Sequence, residues 1–170
     1  MAHIAIIIAP KDFRDEEYFE PKKELEMAGH TTITASIVIG TIQGSRGKTT
    51  TAQIRIHDIT PNNYDAILLV GGSGSYVYDD DAELHHVIKQ FADTNKYITA
   101  ICHAPVILAK AGVLVGKNAT VFSGDIPALL SHDVHFLDQP VVTDGFIITA
   151  NGPSSATAFG RVVATALASE

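Results

Sequence analysis

The sequence predicts an α/β fold in which helices cover both faces of a mostly parallel β-sheet. Short apolar runs rich in β-branched residues recur along the chain, which is typical of strands buried in such a sheet. Patterns with the helical period lie between those runs, and strands that alternate with helices favour parallel pairing. Near the end of the chain, Asp144-Gly145 separates two apolar runs and predicts one antiparallel hairpin.

The predicted strands are short, and two of them, at residues 3–9 and 66–70, are apolar throughout. Continuous apolar character is expected of a strand that is buried on both faces. The polar stretch 40–51 contains glycines and predicts a loop or a hairpin. Further strands or short segments are predicted at residues 32–38, 53–56, 97–101, 119–122, 127–130 and 134–136, and the late hairpin at 141–149.

Helices are predicted where apolar residues share one face, as they do clearly in residues 81–92. The helix predicted at 15–28 contains Pro21, which predicts either that the helix starts at the proline or that it kinks there. No linker-like stretch interrupts the pattern, so residues 1–170 are predicted to form a single domain. Two further helices are predicted, at residues 104–111 and 154–168.

Length and composition restrict the classes of protein to be considered. The chain has 170 residues, of which 46% are hydrophobic and 18% charged, which is enough for one buried core and excludes a disordered chain. Its formal net charge of −7 would repel a phosphate backbone, so we expect no nucleic-acid partner. No apolar run approaches the roughly 20 residues of a membrane-spanning helix, so we expect no membrane partner.

A single cysteine excludes an intrachain disulfide and is typical of a reducing compartment. Because the N-terminal residues also lack the features of a secretory leader, the sequence predicts a cytoplasmic protein. His132 and His135 flank Asp133, but we interpret them as ordinary surface residues. We therefore predict neither a metal nor an organic cofactor.

The chemistry is expected where the cysteine lies. Cys102 occupies the junction between a predicted strand and a predicted helix, at the sheet edge where α/β folds bind ligands. The N-terminus of that helix favours a thiolate, so we expect the pKa of Cys102 to lie below its usual value of about 8.5. Amides of Gly71, Gly72 and His103 are predicted to form an oxyanion hole. A buried, inert cysteine is the alternative interpretation.

Four segments carry a resemblance to a known family: the AICHAP run around Cys102, LLVGGSGS upstream, the acidic helix that contains Pro21, and GKNAT after AGVLVG. Together they resemble the ThiJ/PfpI family of the class I glutamine-amidotransferase-like superfamily, which includes intracellular protease I and the parkinsonism-associated protein deglycase. The resemblance implies a flavodoxin-like fold, usually dimeric, with Cys102 as nucleophile or oxidation sensor. It also implies that Glu17 lies against the sulfur.

Beside a thiolate, Glu17 is expected to be protonated and to donate a hydrogen bond to the sulfur. A solvated acid in the first turn of the helix, like Asp15 or Glu16, is the alternative.

Some positions depart from the family pattern. The protease-like branch has an acidic residue where this chain has Tyr76, so His103 is expected to lack its orienting acid, although Asp79, Asp80 and Asp81 follow. The deglycase branch has a histidine near Phe122. The end of the chain, with Gly152 and Pro153, resembles the deglycase branch, and Arg46 is either its basic pocket residue or a plain loop arginine.

The predicted function is therefore that of a cofactor-independent cysteine enzyme, glyoxalase- or deglycase-like, in which the Cys102 thiolate attacks a carbonyl. Its expected partners are a small reactive carbonyl compound or a modified protein, and a second copy in a homodimer. Two alternatives stay open. One is an intracellular cysteine peptidase or amidase; the other is a non-enzymatic redox sensor or chaperone-like stress protein in which Cys102 is oxidised to the sulfinic acid.

Overall fold

A computed structural model describes residues 1–169. The helices within these residues are α1 (Asp15–Met27), α2 (Ala82–Asp93), α3 (Ala104–Lys110), α4 (Ile126–Leu130) and α5 (Ala156–Ala168). The strands are β1 (His3–Ile7), β2 (Thr31–Ser36), β3 (Gly40–Gln43), β4 (Thr49–Ala52), β5 (Ile54–Arg55), β6 (Ala66–Leu69), β7 (Tyr97–Ile101), β8 (Asn118–Ala119), β9 (His135–Phe136), β10 (Val141–Asp144) and β11 (Ile147–Ala150).

Seven strands form the main sheet, in the order β10-β11-β7-β6-β1-β2-β5. Each neighbouring pair is parallel except β10 and β11, which form the predicted antiparallel hairpin. The central parallel strands β2, β1, β6, β7 and β11 stand side by side in the flavodoxin-like order. The prediction of a flavodoxin-like α/β fold is therefore confirmed.

The strand order reverses between β1 and β6. From β1 the chain continues to β2 on one side, and from β6 it continues to β7 on the other. Connections that leave in opposite directions open a crevice at the carboxyl ends of these two strands, which is where open α/β sheets bind ligands.

Both faces of the sheet are covered, which explains why its central strands are apolar throughout. Ile6 and Leu68 pack with α1 and α5 on one face. Their chain neighbours Ile7 and Leu69 pack with α2 and α3 on the other. All four side chains are at most 1% exposed, so the buried-strand prediction for these runs is confirmed.

Helix α1 begins at Asp15 and runs through Pro21, so the expectation that it starts at the proline is wrong. A proline inside a helix removes one backbone hydrogen bond and costs about 3 kcal/mol. Packing against α5 opposes that cost. The two helices approach so closely that a Cβ on Gly160 would lie 2.7 Å from the Cα of Pro21.

Residues 40–51 form most of a hairpin, in which β3 pairs with β4 apart from the main sheet. Of the two structures predicted for this stretch, a loop or a hairpin, the hairpin is observed. Within residues 1–169, none of the helices combines the length and the apolar character needed to cross a bilayer.

Candidate active site

A cavity of about 440 Å³ opens at the crevice between β1 and β6. Cys102, Glu17 and His103 line it, as the sequence predicted for one shared site, whereas Gly71 and Gly152 lie outside its lining. The complete lining is Arg14, Glu17, Ser45, Arg46, Gly72, Ser73, Tyr76, Cys102, His103, Phe122 and Pro153.

Cys102 stands on a sharp turn between β7 and α3. Its φ of +66° is a left-handed conformation that costs a non-glycine residue about 1–3 kcal/mol. Two backbone hydrogen bonds hold the turn: the Cys102 amide donates to Ala150 over 2.9 Å, and the Phe122 amide donates to the Cys102 carbonyl over 2.9 Å. The turn therefore directs the only sulfur-bearing nucleophile of the chain into the cavity.

The double glycine makes room for the close approach of two functional side chains. A Cβ on Gly71 would lie 2.8 Å from the Cβ of Cys102 and 3.1 Å from Oε1 of Glu17. Gly72 has a φ of +105°, and a Cβ there would lie 2.4 Å from the backbone nitrogen of Arg14. A larger residue at Gly71 would therefore collide with Cys102 and Glu17, and one at Gly72 would collide with the backbone that leads into α1.

Glu17 lies in the first turn of α1 and is 0% exposed, so the alternative of a solvated acid does not describe it. Neither carboxyl oxygen has a hydrogen bond of good geometry to another group within residues 1–169. Burial raises the pKa of Glu17 to about 8, although the nearby Cys102 thiol and Arg14 oppose the rise. At neutral pH the carboxyl therefore keeps its proton, as expected from the resemblance.

Cys102 behaves differently from the expectation. Burial, reinforced by the neighbouring Glu17 carboxylate, raises the pKa of Cys102 to about 12, while the backbone N–H of His103 donates to the sulfur and opposes the rise. The predicted depression of the pKa is therefore wrong in direction. The prediction rested on the helix N-terminus, whose effect is outweighed by burial of the thiol. The two groups titrate as a coupled pair that holds protons more tightly than either would in water.

The structure separates the His103 and Gly72 amides, which were predicted to belong to one oxyanion hole. The His103 amide is directed at the sulfur. In the described chain the Gly72 amide donates to no backbone carbonyl, and Gly72 lines the cavity. Gly72 is therefore better placed than His103 to donate to an oxygen of a bound ligand.

His103 has two orienting acids, so the expectation that it lacks one is wrong. Its Nε2 lies 2.6 Å from Oδ1 of Asp79, and its Nδ1 lies 2.9 Å from Oδ2 of Asp125. The ring also stacks on Tyr76 with its centroid 3.7 Å away. Since each ring nitrogen faces a carboxylate, neither is directed at Cys102.

Sequence reasoning named Asp79 among three consecutive candidates but missed Asp125. Asp125 ends a 3₁₀ turn, Ser123–Asp125, in a polar segment without any periodic pattern that would have marked it. Arg14 was also missed, because it precedes α1 in a segment with no motif. Tyr76 and Phe122, at the two positions that depart from the family pattern, form exposed walls of the cavity, with 51% and 43% of their surfaces accessible.

The fold and the cysteine on its strand-to-helix turn define a flavodoxin-like protein with a thiol site at the topological switch point. Residues 2–166 match the DJ-1/PfpI family, and the chain belongs to that family. The resemblance to ThiJ/PfpI proteins is thereby confirmed.

Similar proteins cover nearly the whole chain. The uncharacterized protein MJ0967 of Methanocaldococcus jannaschii is 41% identical over 98% of this chain and 82% of its own length. Protein/nucleic acid deglycase 2 of Escherichia coli is 32% identical over 93% of both chains. Among solved structures, the ThiJ/PfpI domain protein from Brachyspira murdochii superposes with a TM-score of 0.97 at 34% identity, covering 99% of this chain and 97% of the other.

Proposed function

We propose that the protein is a cofactor-independent cysteine enzyme that acts on small reactive carbonyls or on their protein adducts. One observation carries the proposal: the Glu17 carboxyl is fully buried, shares the cavity with Cys102, and in the described chain has no polar neighbour at hydrogen-bond distance other than that thiol. Burying a carboxyl with so few partners costs folding free energy, and such groups are concentrated at binding and catalytic sites. Relatives named as deglycases support this class of reaction.

The proposed reaction begins with addition of the sulfur to a carbonyl. The Sγ–C bond forms, the C=O electron pair moves to oxygen, and the thiol proton passes to the Glu17 carboxylate. The Gly72 amide donates to the developing oxyanion, which then takes a proton to give a hemithioacetal. Because burial raises the pKa of Glu17 to about 8, its carboxylate is a stronger base than that of an ordinary glutamate and becomes populated as pH approaches 8.

With an α-oxoaldehyde such as methylglyoxal, the same groups complete an internal oxidation and reduction. Glu17 removes the hydrogen on the carbon bonded to sulfur, and a proton returns to the adjacent carbon, which converts the hemithioacetal into a thioester. Water then cleaves the thioester to give lactate and the free thiol. The sum is methylglyoxal plus water to lactate, so no external oxidant or cofactor is needed.

A peptidase is less well supported, because it requires a base that faces the nucleophile. Both ring nitrogens of His103 face carboxylates, at 2.6 Å and 2.9 Å. A redox sensor is also less well supported, since oxidation proceeds through the thiolate and burial raises the pKa of Cys102. The homodimer and the cytoplasmic location stay predictions.

The test is turnover of methylglyoxal, measured as lactate formed by the purified protein at micromolar concentration. We expect turnover that Cys102→Ala abolishes and that Glu17→Gln reduces at least a hundredfold, the scale of a lost general acid–base group. Absence of Cys102-dependent lactate, or equal turnover by Glu17→Gln, would overturn the proposal.

A further inference from the structure

Two arginines line the cavity that holds Cys102, in a chain whose formal net charge is −7. Arg14 stands directly before α1, and Arg46 stands at the turn of the β3–β4 hairpin. The two residues come from separate segments, yet they share one small cavity with the thiol. The fold therefore concentrates positive charge where the overall composition would place little.

Both arginines are held in place through their backbones. The Arg14 amide donates to the Gly71 carbonyl over 3.1 Å. The Arg46 amide donates to Oδ1 of Asp15 over 3.0 Å, and the Lys48 amide donates to the other oxygen of the same carboxylate over 2.9 Å. Asp15 is only 3% exposed, so a buried carboxylate fastens the hairpin tip beside the mouth of the cavity.

Their positive charge is only partly compensated. Arg14 uses its Nε to bind Glu16 at 2.6 Å, and this hydrogen bond lowers the pKa of Glu16, which is therefore ionised. Within residues 1–169 the Arg46 guanidinium has no acceptor within hydrogen-bond distance, and Glu16 affects it only as a nearby charge. Within residues 1–169, Glu16 is thus the one carboxylate bonded to either guanidinium group, whereas Asp15 binds backbone amides of the hairpin.

The other carboxyl in the cavity does not complete the balance. Burial raises the pKa of Glu17 to about 8, so at neutral pH it carries no charge to compensate the second guanidinium. Asp79 and Asp125 are bound to His103 and lie outside the cavity lining. The hydrogen bond to Glu16 is the main cause of the raised pKa of Arg14, and the nearby Cys102 sulfur adds to it.

We infer that Arg14 and Arg46 form a subsite for an anionic oxygen group, a carboxylate or a phosphate, carried by the carbonyl compound that Cys102 attacks. The inference rests on the proposed function and makes acidic carbonyl compounds its preferred substrates, of which neutral methylglyoxal carries only the reacting carbonyl part. Guanidinium groups suit this role because their planar donors match the oxygens of both anions. The exposed rings of Tyr76 and Phe122 supply an apolar wall for the rest of the molecule.

The experiment compares two alkylating agents of nearly equal size, anionic iodoacetate and neutral iodoacetamide. In each reaction Cys102 forms an S–C bond, iodide leaves and the thiol proton passes to solvent, so no turnover of a carbonyl is required. We expect the iodoacetate-to-iodoacetamide rate ratio at neutral pH to fall about tenfold in Arg46→Met, the effect of losing about 1.4 kcal/mol of charge-assisted binding. Lys48→Met is the matched control, because Lys48 is an exposed cation of the same hairpin that does not line the cavity.

A second variant should raise the iodoacetate-to-iodoacetamide rate ratio. Glu16→Gln removes the carboxylate that competes for Arg14, so the ratio should rise above that of the unchanged protein. Equal ratios in the unchanged protein and in Arg46→Met would overturn the subsite, as would an equal fall in Lys48→Met.

Inorganic phosphate and acetate distinguish the two kinds of anion, because each should slow alkylation by iodoacetamide in proportion to its affinity for the subsite. Stronger protection by phosphate indicates a phosphorylated substrate, stronger protection by acetate a carboxylic acid, and protection by neither contradicts the subsite. The proposed function fails separately: absence of Cys102-dependent lactate together with a lowered ratio in Arg46→Met would leave the anion subsite standing.

Discussion

Nε2 of His103 lies 2.6 Å from Oδ1 of Asp79, so this ring nitrogen is directed at a carboxylate and not at the sulfur of the neighbouring Cys102. Asp125 binds the opposite ring nitrogen. The imidazole thereby ties the 3₁₀ turn Ser73–Tyr78, which carries Tyr76, and the 3₁₀ turn Ser123–Asp125, which follows Phe122, to the start of α3. Its role in this geometry is to position the walls of the cavity rather than to remove a proton from Cys102.

That role predicts a loss of stability when either carboxylate is replaced. Asp79→Asn and Asp125→Asn should each lower the free energy of unfolding by about 1–3 kcal/mol, because each weakens a charge-assisted hydrogen bond to a buried ring. Urea unfolding at neutral pH measures the change. Asp80→Asn is the matched control: its side chain is 86% exposed and, within residues 1–169, pairs only with Lys110, so its replacement should cost less than about 1 kcal/mol. Equal stability of all three variants would contradict the positioning role.

The pH dependence of turnover follows from the coupled pair. Below its raised pKa of about 8, Glu17 keeps its proton and cannot accept the thiol proton. We therefore expect kcat/KM for methylglyoxal to rise with pH through about 8 as the pair loses its first proton. In Glu17→Gln this rise should be absent. A profile that is flat between pH values of about 6 and 9 in the unchanged protein would show that Glu17 does not control the reaction.

The sheet and its helices could be predicted from the sequence because their apolar residues recur with a regular period. β7 runs over Tyr97–Ile101 as predicted, and the turn that follows it places Cys102 at the cavity. Interactions that depend on burial or on distant segments gave no such signal. The raised pKa of Cys102 follows first from burial of the thiol and then from the Glu17 carboxyl of α1, and Asp125 reaches His103 from a loop 22 residues further along the chain.

Stability should also depend on pH through Glu17. Burial raises its pKa from 4.5 in the unfolded chain to about 8 in the folded protein, so between these values only the folded state holds the proton. The contribution of Glu17 is therefore fully favourable below pH 4.5 and is lost as pH rises towards 8, by about 1.4 kcal/mol per pH unit. The free energy of unfolding of Glu17→Gln should not show this decline. In urea titrations, the stability of the variant relative to the unchanged protein should therefore increase from acidic to alkaline pH. A constant difference between the two proteins over that range would contradict the raised pKa.

The alkylation rate of Cys102 tests the electrostatic interaction between its thiol and the Glu17 carboxyl. Because burial and the adjacent Glu17 carboxylate raise the pKa of Cys102 to about 12, iodoacetamide should alkylate it more slowly at neutral pH than it alkylates a free thiol of ordinary pKa. The alkylation rate should keep rising with pH well beyond about 8.5, the pH at which an ordinary thiol is half ionised. In Glu17→Gln the midpoint should move to lower pH, since the like charge is removed, but it should stay above the free-thiol value because the burial persists.

Mass spectrometry of the modified protein gives these rates, and the same measurement on the urea-unfolded chain supplies the reference thiol. A midpoint below about 8.5 in the folded protein would mean that the N-terminus of α3 outweighs burial, and that Cys102 is a thiolate before any substrate binds.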